Sequence, residues 1–486
     1  MATETTPAQT GTATTPPPDT TTGRRSWGAL LVVLAGLFIT NLDFFIVNVA
    51  IPSLQSDMNA SSAQIQFVAA TFNIGLSAAL ITGGRLGDLY GRRRIFSIGL
   101  ALFTLASLAC GLAPNMGVLI GARGIQGAAA ALVIPQVLGI LTTTYSGKDR
   151  VTAFNGFGLA LGASAVFGQL IGGLLIKADV FGLDWRSIFL INVPIGAAVL
   201  LITPRVVPES KAEGRTGFDL TGVVLVTAGL TAVILPLVQG REQGWPTWTW
   251  ECLIAAVPLL AAFWIHQRRL HARGRSPLVS PALFHDRAFR VGVVGILVFF
   301  AAMASFFLVL ALFLQEGHGV SALDSGLLFV PLGIGFFLSS TQAPRIAAKL
   351  GRQVLALGAL ILAVSDVALA ETALHIDNGS VAWCIPAMLF CGIGMGLVVA
   401  PLTSLVLEGV APEHAAAASG VFSTAQEMGN AVGIAAIGVV FFNTLGTRHG
   451  PGAFADAFSS GLFVQAAICV GVAALVQLLP RPARQN

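Results

Sequence analysis

The 486-residue chain has little charge: Asp, Glu, Lys and Arg make up 10% of it, and it contains two tyrosines and five cysteines. Soluble domains are about one quarter charged, so this composition excludes an ordinary soluble protein. The cysteines lie in or beside apolar runs without metal-ligand spacing, and the seven histidines fall in loops or at the ends of runs. The sequence has no Walker nucleotide motif, no HExxH zinc motif and no long polar segment. We therefore expect no metal site, no cofactor, no enzymatic activity and no ATP-driven pumping.

Apolar residues dominate instead, since 55% of the sequence is hydrophobic and the mean hydropathy is +0.81. Runs of about 20 apolar residues are long enough to cross a bilayer as helices. They predict an all-α polytopic membrane protein with fourteen transmembrane helices. The predicted spans are 27–51, 63–83, 95–113, 116–142, 151–176, 186–204, 218–239, 250–266, 289–314, 324–343, 353–372, 381–405, 415–442 and 459–479. Residues 1–25, rich in threonine, proline and alanine, are expected to form a disordered tail.

Lysines and arginines are divided unequally between alternate loops. Four of the 27, namely Lys177, Arg186, Arg241 and Arg448, fall on one side, Arg123 falls within a span, and all the others fall on the side that carries both termini. Cytoplasmic loops are enriched in lysine and arginine, so we expect cytoplasmic termini and a location in the plasma membrane. The net charge is +4, but the basic residues fall in short loops and form no continuous stripe, which argues against a nucleic-acid partner.

A charged segment, 84–94, separates the second and third spans and reads GRLGDLYGRRR. Its glycines allow close helix approach and a tight turn, and its aspartate can hold a neighbouring arginine or a helix N-terminus. The segment resembles the loop between spans two and three of the major facilitator superfamily, Gly-x-Leu-Ala-Asp-x-x-Gly-Arg-Arg/Lys. That resemblance implies a conformational latch, in which Asp88 engages Arg92 and a helix end of the second half when the carrier opens outward. The latch residues are Gly84, Asp88, Gly91, Arg92 and Arg93. The alternative is a basic anchor that only sets topology.

The second half of the chain repeats part of this segment. The sequence PRIAAKLGR at 344–352 can be laid over 84–92, with Ala348 in the place of Asp88. The offset of 260 residues leaves room for six spans in each half and two inserted spans. This organisation, with LDFFIVNVAIP at 42–52 and WRSIFLINVPIG at 185–196, is similar to the fourteen-span drug:proton antiporter branch of the superfamily. The resemblance implies the major facilitator fold. Its parts would be a six-helix bundle at 26–204, an inserted region at 205–288, a second bundle at 289–480 and a short cytoplasmic tail at 481–486.

Two ionisable residues lie at matching depths in the first half. Asp43 lies about 12 Å and Arg123 about 10 Å from the outer ends of their spans, at about 1.5 Å per residue. Charged groups at bilayer depth are costly and usually functional. We expect Asp43 and Arg123 to face each other, so that protonation of Asp43 frees Arg123 to rearrange; the alternative is a fixed structural pair. Arg123 also opens RGIQGAAA at 123–130, which is similar to the span-four motif of the family.

Two acidic residues of the second half have no cation at a similar depth. Glu427 lies about 18 Å into its span from the cytoplasmic end. It is expected to be an exchangeable proton site or a counter-ion for a cationic substrate, and the alternative is a permanently protonated glutamate. Asp366 is also unpaired and matches no motif of the family. We assign both, with Asp43 and Arg123, to proton coupling.

The fifth span departs from the antiporter pattern, Gly-Pro-x-x-Gly-Gly. This chain has Gly168, Gln169, Gly172 and Gly173 at those places. Glutamine in place of proline keeps the glycine packing face, removes the kink and adds a hydrogen-bonding side chain.

These features predict a proton-driven secondary exporter of lipophilic small molecules, such as drugs or antibiotics, that works by alternating access. The expected partners are a small lipophilic substrate, protons and membrane lipid, and the protein is expected to be a monomer. The alternative function is a uniporter or symporter of an endogenous metabolite or lipid. The substrate cavity should be large and apolar with few polar contacts. Its expected lining is Asn41, Asn48, Asn73, Gln126, Gln136, Asn155, Gln426, Phe44 and Phe422.

Overall fold

The computed structural model describes residues 20–211, 219–240, 243–275, 277–376, 380–408, 410–411 and 414–479, and within them it is built of helices without strands. Its α-helices are α1 (Thr20–Met58), α2 (Ser62–Tyr90), α3 (Arg92–Gly111), α4 (Met116–Thr144), α5 (Gly147–Ala178), α6 (Ser187–Leu190), α7 (Asn192–Val206), α8 (Leu220–Gln239), α9 (Thr247–Ala272), α10 (Arg287–Leu312), α11 (Ala322–Leu328), α12 (Val330–Leu350), α13 (Gln353–Leu374), α14 (Ile385–Glu408), α15 (Ala415–Leu445) and α16 (Pro451–Val476). Short 3-10 turns cover Val180–Gly182, Asp184–Arg186, Pro281–His285 and Val381–Cys384, and a π-helical turn covers Phe313–Gly317.

Thirteen helical segments of the described chain are long and apolar enough to cross a membrane. They lie at all the predicted spans except the fifth. The 32-residue helix α5 occupies that place but is not among the thirteen, and three of its side chains lie outside the described residues. The chain is therefore an all-helical, multi-pass membrane protein, and the total of fourteen spans stays a prediction.

The ends of several helices differ from the sequence expectation. Helix α1 begins at Thr20, so the predicted tail shrinks to residues 1–19, which lie outside the described part, as do residues 480–486. The first predicted span ends at residue 51, and the helix that contains it continues past Pro52 to Met58. A proline removes one backbone hydrogen bond and bends a helix without necessarily ending it. Helix α9 likewise continues past 266 to Ala272, since basic residues beyond the bilayer can extend a helix into the aqueous phase.

The charged segment 84–94 is mostly helical, and its turn is a single residue. Helix α2 runs to Tyr90, and α3 starts at Arg92. Between them Gly91 adopts φ +104°, a backbone conformation that L side chains rarely adopt. The sequence therefore requires glycine at this position to reverse the chain within one residue.

The same packing relations occur twice along the chain. In the first half α1 packs on α5, α2 on α4, and α3 on both α4 and α7. In the second half α10 packs on α15, α12 on α14, and α13 on both α14 and α16. The two groups meet where α2 and α4 contact α15 and where α5 contacts α12 and α14. Helix α8 packs on α9 and also contacts α2 and α15.

Candidate functional site

A buried polar cluster lies within the first group of helices. Its members come from four helices: Asp43 from α1, Ser107 from α3, Arg123 and Gln126 from α4, and Asn192 from α7. We call these five residues the Asp43 cluster. Arg123 is 1% exposed and the other four are 0% exposed. The two charges of the cluster are thus removed from bulk water.

The carboxylate of Asp43 accepts hydrogen bonds from three donors. Its Oδ2 accepts from Nη1 of Arg123. Its Oδ1 accepts from Nε2 of Gln126 at 2.9 Å and from Nδ2 of Asn192 at 2.7 Å. Ser107 Oγ accepts from the same two amides, at 2.7 Å from Gln126 and 3.4 Å from Asn192. These bonds and the adjacent guanidinium stabilise the ionised carboxylate against the cost of its burial.

Arg123 is held by several contacts besides the ion pair. Its Nε donates to the carbonyl oxygen of Val68 at 3.2 Å, and its Nη1 also donates to Oε1 of Gln126 at 2.7 Å. Its guanidinium lies over the ring of Phe72, 4.3 Å from the centroid, and 5.7 Å from that of Phe189. A planar, multidentate cation suits this environment better than the point charge of a lysine.

The arrangement can convert a change of protonation into a change of packing. Protonation of Asp43 would leave a buried guanidinium without its counter-ion, and losing one partner of a buried pair costs about 3–5 kcal/mol. Arginine does not give up its own proton, so it must find new partners. The structure places Asp43 and Arg123 in contact, as their matching depths predicted. Their role in proton coupling stays a prediction.

The carboxylate of Asp88 links the two halves of the chain at the ends of α2 and α15. Its Oδ1 accepts from Nη2 of Arg92 at 2.6 Å and from the backbone amide of Ala416 at 3.3 Å. Its Oδ2 accepts from the backbone amide of Ala417 at 2.9 Å. The first N–H groups of a helix have no partner within the helix, so α15 offers Asp88 a positively polarised end. Gly84 allows this approach, because a Cβ there would collide with the carbonyl oxygen of Ala416. These are the contacts that the family resemblance implied for Asp88.

The segment after α7 holds the turn at Gly91 from the other side. Glu209 accepts from the backbone amides of Arg93 at 3.1 Å and Arg94 at 3.2 Å, and its Oε2 lies 3.6 Å from Nε of Arg93. The carbonyl oxygen of Ser210 accepts from the amide of Arg92 at 2.9 Å. Glu209 therefore caps α3 from a position 116 residues away. Sequence reasoning missed it because no local pattern links the two segments.

Glu427 lies partly buried on α15, away from the Asp43 cluster along the chain. No ion pair of Glu427 occurs among the described residues, and the side chain of Asn430, one turn further on, hydrogen-bonds to it. The part of α15 that follows Glu427 packs against α10 around Ala301 through Gly429 and Gly433. The surroundings fit the unpaired acid that the sequence predicted, and its role stays a prediction.

The glycines of the fifth span face α1. A Cβ on Gly168 would lie 2.8 Å from Cβ of Phe45, and one on Gly172 would lie 2.8 Å from Cγ1 of Ile46. Gly173 is partly buried on the same helix. The side chain of Gln169 lies outside the described residues.

The residues predicted to line the substrate cavity are dispersed. Gln126 belongs to the Asp43 cluster, and Gln136 donates from Nε2 to the carbonyl oxygen of Gly83 at 2.7 Å, so both make contacts between helices of the first half. Asn41 donates to the carbonyl oxygen of Leu37 in its own helix at 3.0 Å. Both glutamines are 0% exposed.

The other predicted lining residues whose side chains the structure describes are partly or fully buried. The ring of Phe44 lies 4.9 Å from that of Phe45 and 6.3 Å from that of Phe72. Phe422 is 1% exposed, and the buried Oδ1 of Asn73 has no hydrogen-bond partner among the residues that the structure describes. Asn155 and Gln426 are partly buried, and the side chain of Asn48 lies outside the described residues. A cavity of about 550 Å³ lies elsewhere, between the C-terminal end of α13, the N-terminal end of α16 and the segment that joins α15 to α16.

Ser107 and Asn192 are the cluster members that the sequence analysis did not assign. Asn192 stands in the segment that carried the family resemblance, and this was the only available signal for it. Ser107 is one of many small polar residues in apolar helices, where serine commonly bonds to its own backbone. Only the packing of α3 and α7 reveals that both face Asp43.

Comparison with known proteins supports the same family. Residues 33–434 match the model of the Major Facilitator Superfamily. The chain is 37% identical over 444 residues to the probable actinorhodin transporter of Streptomyces coelicolor, covering 91% of this chain and 76% of that protein. It is 34% identical over 469 residues to the puromycin resistance protein pur8 of Streptomyces alboniger, covering 94% and 90%.

A solved structure shares the fold. The proton:xylose symporter XylE bound to 6-bromo-6-deoxy-D-glucose superposes with a TM-score of 0.66 over 95% of this chain and 97% of the other, at 17% identity. At an identity this low, the similarity is evidence for a shared fold alone. The family match over most of the sequence confirms the resemblance drawn from the charged segment. The protein is a transporter that belongs to the Major Facilitator Superfamily.

Proposed function

We propose that this protein is a proton-driven exporter of lipophilic small molecules, with antibiotics as its first candidate substrates. The observation that carries the proposal is the buried pair of Asp43 and Arg123, whose stability depends on the charge of one carboxylate. The similarity to an actinorhodin transporter and a puromycin resistance protein supports the substrate class and the outward direction.

The architecture proposed for this function has fourteen spans, with α5 as the fifth. Two six-helix bundles, 26–204 and 289–480, would rock about a central cavity, and the inserted region 205–288 would lie beside their seam. Both termini would face the cytoplasm of a monomer in the plasma membrane, in contact with lipid, substrate and protons. The repeated packing relations of the two groups of helices support this division.

Proton exchange would act on two carboxylates. With Asp43 ionised, Arg123 is held within the first half, and protonation from outside would release it and loosen α1, α3, α4 and α7. Glu427 would either exchange a second proton or balance the charge of a cationic substrate. The contact of Asp88 with α15 would close the cytoplasmic side while the outer side opens.

Transport by purified protein in liposomes tests this proposal. A pH gradient is imposed, and the movement of puromycin or actinorhodin is measured together with the pH inside the liposomes. Exchange predicts that substrate and protons move in opposite directions and that Asp43→Asn removes the link between them. The exposed Asp149, at the start of α5, offers a matched control as Asp149→Asn. Movement of both in the same direction would make the protein a symporter, and movement without protons would make it a uniporter.

A further inference from the structure

A second buried carboxyl group occupies a matching place in the second half. Asp366 on α13 lies beside Cys391 on α14 and Gln465 on α16. Helices α13, α14 and α16 pack together as α3, α4 and α7 do, and those three carry Ser107, Gln126 and Asn192 of the Asp43 cluster. Each half therefore holds a group of buried polar side chains between its equivalent helices. The group in the first half includes a cation, whereas the group in the second half consists of an acid, an amide and a thiol.

Only one of the two carboxyl oxygens of Asp366 accepts hydrogen bonds from the described residues. Its Oδ1 accepts from Nε2 of Gln465 at 3.2 Å and from Sγ of Cys391 at 3.6 Å. Within the described part of the chain its Oδ2 has no hydrogen-bond partner, and neither has Oε1 of Gln465. Asp366, Gln465 and Cys391 are all 0% exposed, so bulk water does not reach them.

No ion pair of Asp366 occurs among the described residues, and its titratable neighbours there are the thiols of Cys391 and Cys469. An ionised Asp366 would therefore be a buried charge without a counter-ion, next to a second unpaired acceptor. Both situations are strongly unfavourable. One proton on Oδ2 would neutralise the acid, and its donation to Oε1 of Gln465 would satisfy the second acceptor as well.

We propose that Asp366 is a permanently protonated carboxyl group that forms a cyclic acid–amide pair with Gln465, tying α13 to α16, and that its proton is not exchanged during transport. In this pair Gln465 donates from Nε2 to Oδ1, and Asp366 donates from Oδ2 to Oε1. The pair is a neutral structural bond inside the second half, in contrast to the charged pair of the first. Asp366 is therefore not a proton-coupling residue, although its unpaired position inside a predicted span suggested that role.

Asp366→Asn tests the pair directly, because an asparagine amide can donate to Oε1 and accept from Nε2 as the protonated acid does. The variant should keep the melting temperature of the wild type, its transport rate and its proton movement. Asp366→Leu and Gln465→Leu leave a buried polar group without its partner and should lower the melting temperature. Normal stability in both leucine variants would overturn the acid–amide pair.

Infrared spectroscopy gives a readout that does not depend on transport. The carbonyl stretch of a protonated carboxyl group should be present in the purified protein at alkaline pH, and Asp366→Asn should lose the component of this band that Asp366 contributes. Disappearance of this band as the pH is raised through the working range of the transporter would overturn the proposal, and so would lost proton movement in a stable Asp366→Asn protein. The transport readout rests on the proposed function, whereas the band and the melting temperatures do not. Failure of Asp43→Asn to uncouple transport would therefore refute proton exchange at Asp43 while leaving this inference standing.

Discussion

The contact of Asp88 with α15 makes the most detailed prediction about conformation. In Asp88→Asn one carboxylate oxygen becomes an NH₂ group, which cannot accept from the amide of Ala417 and faces it with a second donor. The remaining oxygen can still accept from Arg92 and Ala416. The substitution removes one hydrogen bond to a charged acceptor and a favourable charge at a helix N-terminus. Together these two interactions stabilise the contact by about 2–4 kcal/mol.

This energy is lost only in the state in which α2 and α15 touch. At about 1.4 kcal/mol per factor of ten, the population of that state relative to the cytoplasm-open state should fall by about 25- to 700-fold. Transport should slow because the carrier returns poorly to the cytoplasm-closed state, while folding and insertion stay normal because the contact is not part of the core of either half.

Distances between spin labels measure this shift. Labels at Arg205 and Lys349, both exposed and located in different halves, report the separation of the ends that we propose to face the cytoplasm. A Cys252→Ser background suffices, because the other four native cysteines are buried. The wild type should show mainly the short distance, Asp88→Asn should show the longer one, and Asp149→Asn should resemble the wild type. Equal distance distributions in all three proteins would reduce the segment 84–94 to an anchor that sets topology.

Four further substitutions probe the acids and their partners. Asn192→Leu takes one donor from the buried Asp43 carboxylate and should lower the free energy of unfolding by about 1–3 kcal/mol, measured by thermal denaturation in detergent; an unchanged melting point would show that the bond is expendable. Arg123→Lys should abolish transport although it keeps the charge, because an ammonium group cannot make the same bonds or stack on a ring; substrate uptake into liposomes at normal protein levels is the test. Glu427→Gln should end export of cationic dyes, and full export would identify a glutamate that stays neutral throughout. The hydrogen bonds from Arg186 and Trp185 hold the pKa of Asp57 below its ordinary range. Because a depressed pKa gives stability that is lost as the pH falls, Asp57→Asn should destabilise the protein at neutral pH and have no effect once the wild-type carboxylate is protonated; a constant difference across the acid range would contradict this.

The charged elements were the most predictable part of the molecule. Asp88 and Arg92 stand in a motif, and the resemblance to the family already implied that they pair, although Gly91 places them on different helices. Asp43 and Arg123 lie 80 residues apart, yet the bilayer gives each a depth, and only a partner at the same depth can neutralise a buried charge. The predicted depth of each residue in the membrane thus indicates a contact that their separation in the sequence does not reveal.

Neutral partners could not be predicted in the same way. Asn192 and Ser107 approach Asp43 only because α3 and α7 turn particular faces inward, and apolar helices give little periodic signal about orientation. The same lack of signal explains why Gln126 and Gln136 were expected in the cavity, whereas here they join helices of the first half.

Proton release on substrate binding tests the central claim most directly. A purified, detergent-solubilised protein is mixed with a transported antibiotic in weakly buffered solution, and the pH change is recorded for the wild type, Asp43→Asn and Asp149→Asn. Proton exchange at Asp43 predicts release from the wild type and from Asp149→Asn, and no release or a reduced release from Asp43→Asn. Equal proton release from all three proteins would show that the buried pair of Asp43 and Arg123 is a fixed structural bond and that the coupling proton lies elsewhere.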